Sequence, residues 1–115
     1  MAKGWIGVDL DGCIAEYHGW RGPEEIGPPV PLMLTRVKKW IKEGKDVRIF
    51  TARIAHPDGA VACKAMLAIH RWTKEHVGKA LPVTNIKDLD MIECWDDRCV
   101  QVVKNTGERV DGIPE

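Results

Sequence analysis

Two aspartates, Asp9 and Asp11, close a short apolar run in GWIGVDLDGCIA, residues 4–15. Ile6, Val8 and Leu10 alternate with small or polar residues, which reads as a buried strand, and Gly12 supplies a tight turn after it. Carboxylates crowded at a buried strand end repel each other and are poorly solvated. They persist there when positive charge is bound between or beside them. A hard divalent cation, which takes oxygen ligands, is the natural occupant. An EF-hand calcium loop starting at Asp9 fails on spacing, because it needs Gly where Ile14 stands and Glu where Trp20 stands. Two more polar groups end apolar runs: Thr51 after DVRIF, and Asp96 with Asp97 after MIECW.

The elements that must bring these groups together follow from pattern. Residues 14–31 form a Gly/Pro-rich loop, too long for a simple connector and placed like a lid. It is read equally as a surface loop pinned by Trp20 and Ile26. Residues 32–44 read as a helix, with Met33, Val37, Trp40 and Ile41 on one face, Pro31 in its first turn and Gly44 as its stop. Residues 46–51 read as a second strand. Asp58 is a suitable N-cap for a second helix over 60–77, whose apolar stripe is Cys63, Met66, Leu67, Ile69 and Trp72. Residues 81–86 are extended, 91–95 form a strand, and Val100–Val103 (VQVV) form a last short strand before a turn at 105–107. Strands alternating with helices imply βαβ units and a mostly parallel sheet, which binds ligands at the carboxyl ends of its strands. Asp9, Thr51 and Asp96 would then share one edge.

The 115 residues suit a single domain spanning 1–115. Basic and acidic residues number 17 each, so the formal net charge is zero and nothing indicates a nucleic-acid partner. No apolar run approaches the roughly 20 residues that span a bilayer, and the N-terminus lacks the build of a signal peptide. A cytoplasmic protein with no membrane partner is the expectation. The four cysteines, Cys13, Cys63, Cys94 and Cys99, form no C-x-x-C pair and match no zinc spacing. They are read as reduced packing residues.

Taken together and in order, IGVDLDGCIA, VRIFTAR, the lysine of TNIKD and IECWDDR resemble the four motifs of the haloacid dehalogenase-like (HAD) phosphohydrolase superfamily. The resemblance covers about the first nine-tenths of the chain. It is closest to small bacterial or phage-type members without a cap domain, since only loops fit between the motifs. It implies an α/β fold with a three-layer Rossmann-like core and a Mg²⁺-dependent phosphatase acting on a small phosphorylated substrate such as a nucleotide or sugar phosphate, or, through its open capless site, on a macromolecular phosphate. Asp9 would be the nucleophile that forms an aspartyl-phosphate. Asp11 would protonate the leaving oxygen and then deprotonate water. Mg²⁺ would lie between Asp9, the backbone carbonyl of Asp11, and Asp96, with Asp97 as a further candidate ligand. Thr51 would hydrogen-bond a phosphoryl oxygen, and Lys87 would offset charge on Asp9 and the phosphoryl group, Lys79 being its rival. Retention of Asp11 favours phosphate-ester hydrolysis over the dehalogenase and phosphonatase branches, which vary that position.

Three residues are candidates for substrate contact. Arg53 would reach a substrate phosphate or pair with a nearby acid. Trp20 would stack on a planar leaving group such as a nucleobase or sugar face. Cys13, where the family usually has Thr or Val, would place an exposed, oxidisable thiol near the metal. His18 and His56 flank the site in sequence, His70 reads as a helix-face residue, and Trp5, Trp40, Trp72 and Trp95 read as core or core edge. The reading from a different class is a binding or regulatory protein that keeps the metal site without useful turnover. Phosphotransfer to an acceptor other than water would use the same residues.

Overall fold

The computed structural model describes residues 4–115. Its centre is a four-stranded, all-parallel sheet in the order β3-β2-β1-β4. The strands are β1 (Trp5–Val8), β2 (Asp46–Phe50), β3 (Val83–Thr84) and β4 (Met91–Trp95). The helices are α1 (Pro31–Lys42) and α2 (Gly59–His76), and a 3₁₀ turn (Ala52–Ala55) follows β2. No helix among the described residues is long and apolar enough to cross a membrane.

Local chemistry accounts for the helix ends. Pro31 opens α1 with its φ already set, and Lys39 and Lys42 lie in the last turn, where the helix dipole favours cations. Gly44 (φ +82°) ends it, and the Gly44 and Lys45 amides donate back to the Ile41 and Trp40 carbonyls. The Asp58 carboxylate accepts the Ala60 amide at 2.9 Å and caps α2.

One face of the sheet carries Ile6 and Val8 in register with Val47 and Ile49. Met33 and Val37 of α1 and Ile69 and Trp72 of α2 close over them in a single cluster, with Leu10, Ile14 and Leu81 at its rim. The chain steps from β1 to β2 to β3 in one direction, so crossovers of one hand put both helices on that same face. The three-layer arrangement expected from the sequence is therefore not what residues 4–115 form. A crossover from β3 back past β2 and β1 to β4 would supply the opposite layer, but residues 85–90 are too few for a helix. They run as a strap instead. Asp88 accepts the Trp5 indole N–H at 2.8 Å, and the Asp90 carbonyl accepts the Trp5 amide at 2.9 Å. Trp5, packed edge-on to Phe50 and under the Arg48 guanidinium, is thereby only 1% exposed.

Three smaller expectations are corrected. Residues 100–103 form no strand; Val102 makes an isolated antiparallel bridge to Arg109, and Val100, Val102 and Val103 stay exposed. High β propensity does not make a strand where no buried face awaits it. The buried face of α2 runs through Ala65, Ile69, Trp72 and Thr73, leaving Cys63 and Leu67 outside it. Cys94 and Cys99 are also exposed, so of the four cysteines only Cys13 is partly packed.

Candidate active site

The site is made by register. Val8 pairs with Trp95 in β4 and with Ile49 in β2, so the next residues along, Asp9, Asp96 and Phe50-Thr51, emerge together at the carboxyl edge. The Asp9 amide donates to the Trp95 carbonyl at 2.9 Å and locks the two central strand ends. Asp9, Asp96 and Asp97 each present a carboxylate oxygen, all three within 4.8 Å of one another. Among the described residues, none of the three has an ion-pair partner. Gly12 makes room for them: it has φ +81°, and a Cβ there would meet Asp97 Oδ2 at 2.5 Å. Gly12→Ala is expected to lower stability by about 1–3 kcal/mol, from backbone strain and this collision. It should also weaken divalent-cation binding. Gly59→Ala, in open space at the start of α2, is the near-neutral control, and thermal melts with and without Mg²⁺ compare the two.

Burial first, then the charge of Asp96 and a hydrogen bond with Asp97, push the Asp9 carboxyl up from 3.8 to about 7. The consequence for stability has a definite sign. Below about pH 4 Asp9 is neutral in both folded and unfolded chains. From there up to about 7 the unfolded chain releases this proton more readily, so the Asp9 contribution to stability falls as pH rises. A cation that binds the ionised form offsets that loss. The rise in melting temperature on adding Mg²⁺ is expected to grow between pH 5 and pH 7 and then level off. Calorimetry at matched ionic strength measures it.

Asp11 faces elsewhere. Its two oxygens accept from Arg53, Oδ2 from Nε at 2.7 Å and Oδ1 from Nη2 at 2.8 Å. The Asp11 side chain is therefore not part of the acid cluster, and the metal contact expected of this residue is the one through its backbone carbonyl. The same contacts decide between the two readings of Arg53. Its side chain is 5% exposed, and two further donors go to the Pro23 and Glu25 carbonyls. Four of its five N–H donors are committed, one Nη1 hydrogen remaining, so in this structure Arg53 holds Asp11 and the loop in position while still lining the cleft. It also ties residues 14–31 to the site, together with the Trp72 indole N–H on the Gly27 carbonyl at 3.0 Å.

Thr51 is buried at the rim of the opening. Its hydroxyl oxygen accepts the Arg53 amide at 3.1 Å, which leaves its proton free to donate into the cleft. Trp20 also lines the cleft, 48% exposed, with one ring face over the Arg53 guanidinium at 5.0 Å. Ile26, the other expected anchor of the loop, packs on the core.

Two expected residues are not brought in. Lys87 sits on the strap, exposed, with its charge felt at Cys94. No lysine lines the cleft among the described residues; β3 ends at Thr84, and Lys87 lies on the connection from there to β4. Cys13 does not line the cleft either. Its thiol lies 3.5 Å from the Trp95 carbonyl, and burial together with the neighbouring acids pushes it up to about 12. It is a protonated packing group, not an oxidisable contact.

Sequence reasoning passed over Arg98, which lines this cleft of about 790 Å³ together with His56, the histidine expected to flank the site. Arg98 stands directly after Asp97 in IECWDDR, a motif read only for its acids. Its amide donates to Asp96 Oδ1 at 2.7 Å in the turn that leaves β4. No protein-family model, curated protein or solved structure matches this chain.

Proposed function

We propose that this protein is a divalent-cation-dependent phosphomonoesterase of the HAD-like type, working on an open site without a cap domain. The observation that carries the reading is the cluster of Asp9, Asp96 and Asp97 at adjacent parallel strand ends, with no ion-pair partner among the described residues. The donor set is all oxygen, which fits Mg²⁺ rather than a soft metal. When bound, Mg²⁺ would offset the repulsion between carboxylate and phosphate and polarise a phosphoryl oxygen.

The chain's own residues supply the rest. An Asp9 oxygen attacks phosphorus, the P–O bond to the leaving group breaks, and the leaving oxygen takes the proton that Asp11 carries when it enters this step in its protonated form. Water then attacks the aspartyl-phosphate while Asp11 removes its proton, which frees phosphate and restores Asp9. Opening one of the two Arg53 bonds gives Asp11 the freedom these transfers need. The Thr51 hydroxyl donates to a phosphoryl oxygen. Arg98 takes the charge-offsetting role that the family resemblance assigned to Lys87, since it is the arginine of the cleft whose side-chain donors are uncommitted. The outer face of Trp20 suits a planar leaving group.

The absence of a lysine from the cleft lining supports one rival, a cation-dependent binding protein with little turnover. A panel of aryl, nucleoside and sugar phosphates with Mg²⁺ or chelator separates them. Phosphate release that needs Mg²⁺ is the expected result. Silence across the panel, with a Mg²⁺-dependent melting shift intact, supports the binding protein.

A further inference from the structure

β4 hands its last residues to a tight turn. Asp96 Oδ1 accepts the Arg98 amide at 2.7 Å, which reverses the chain and brings Cys99 back beside Cys94. Cys94 Sγ, Cys99 Sγ and an Asp96 oxygen all lie within 4.8 Å of one another. Cys94 pairs in register with Gly7, so it belongs to the helix-free face of the sheet, opposite Ile6 and Val8. Both cysteines are exposed, and an ion in solution can reach them.

We propose that Cys94, Cys99 and Asp96 form a second cation site, selective for a thiophilic divalent ion such as Zn²⁺, distinct from the all-oxygen cluster and joined to it through Asp96. Two thiolates and one carboxylate are a soft donor set, which Mg²⁺ does not favour. In a tetrahedral site with Zn–S near 2.3 Å, sulfurs stand about 3.7 Å apart. The donors here close to that distance by moving about 1 Å at most. Three protein ligands leave the fourth position to water or an added anion, the composition of an open site. Sharing Asp96 couples the two sites: an ion held by the thiolates draws Asp96 from the oxygen cluster or bridges to it.

The test uses Co²⁺ as a spectroscopic stand-in for Zn²⁺, on full-length protein under a phosphine reductant. The expected result is a near-ultraviolet sulfur-to-cobalt charge-transfer band, with visible bands of tetrahedral intensity, displaced by Zn²⁺ and not by excess Mg²⁺. Cys94→Ser and Cys99→Ser should each reduce the band several-fold, while Asp9→Asn and Cys63→Ser leave it intact. Retention in Asp9→Asn keeps this proposal separate from the phosphatase reading, which that variant disables. No charge-transfer band in the reduced wild-type protein would overturn the site. So would a band that survives both serine variants. A pair recovered only as the Cys94–Cys99 disulfide, with no cobalt uptake after reduction, would also overturn it. Circular dichroism of each serine variant confirms that the chain is folded; if either one unfolds, Cys94→Ala and Cys99→Ala replace the pair and are read against the same band.

Discussion

Asp9→Asn is expected to abolish Mg²⁺-dependent phosphate release while making the cation-free protein more stable. The two effects have one origin. Asp9 is partly buried against two other acids, and its carboxyl is held near neutrality at the cost of ionisation. An amide of the same shape keeps the packing, removes one negative charge from the cluster, and cannot attack phosphorus. Loss of the nucleophile should cost about 10³-fold or more in kcat. The melting temperature in chelator at pH 7.5 should rise by a few degrees, since about 1 kcal/mol is worth roughly 4 °C in a domain of this size. The Mg²⁺-induced shift in melting temperature should shrink at the same time. A variant with wild-type turnover would remove Asp9 from the nucleophile role. One that melts lower than wild type in chelator would contradict the account of the acid cluster.

Arg53→Ala has the largest expected effect on stability. One guanidinium, 5% exposed, binds both oxygens of Asp11, two carbonyls of the loop, and the face of Trp20. Removing one partner of a buried pair leaves the other charge uncompensated, which costs about 3 kcal/mol, the low end because Asp11 keeps 20% exposure. That is roughly a 10 °C fall in melting temperature. Turnover should fall at least about 10-fold, because the carboxylate that exchanges protons with the leaving group loses its orientation. Arg53→Lys should recover less than half of either loss, since a lysine cannot form the two-pronged contact. A loss below about 1 kcal/mol for the alanine variant would show that the loop and Asp11 hold their places without the arginine.

Much of the scaffold could be read directly from residue types. Pro31, Gly44 and Asp58 mark helix ends because their effects are local, and MIECW is a strand of the length its pattern indicates. The meeting of Asp9 with Asp96 was legible too, because parallel strands deliver their carboxyl ends to one edge. What escaped notice depends on distances that no local pattern encodes. A second helical layer was expected from the resemblance, and it fails because residues 85–90 are too few to build one. Lys87 was placed by its motif, and it lies on the same short strap, outside the cleft lining. Arg53 carries two readings in one dimension, pairing with an acid being the favoured one, and the two-pronged contact with Asp11 is what the fold adds. The Cys94–Asp96–Cys99 grouping matches no zinc spacing because its third donor is an aspartate, and the turn that folds it is set by that aspartate's own side chain.

The central strand β1 is made first and satisfied last. Its outer neighbour β4 comes at the far end of the chain, and 83 positions separate Trp5 from its hydrogen-bond partner Asp88. Closing so distant a pairing is slow, because a long stretch of backbone must be ordered before the contact repays it. On the ribosome, the amino-terminal part can collapse onto α1 and α2 while one rim of β1 still offers bare amides and carbonyls. Until Trp95 emerges, that rim is a template for any other extended chain nearby.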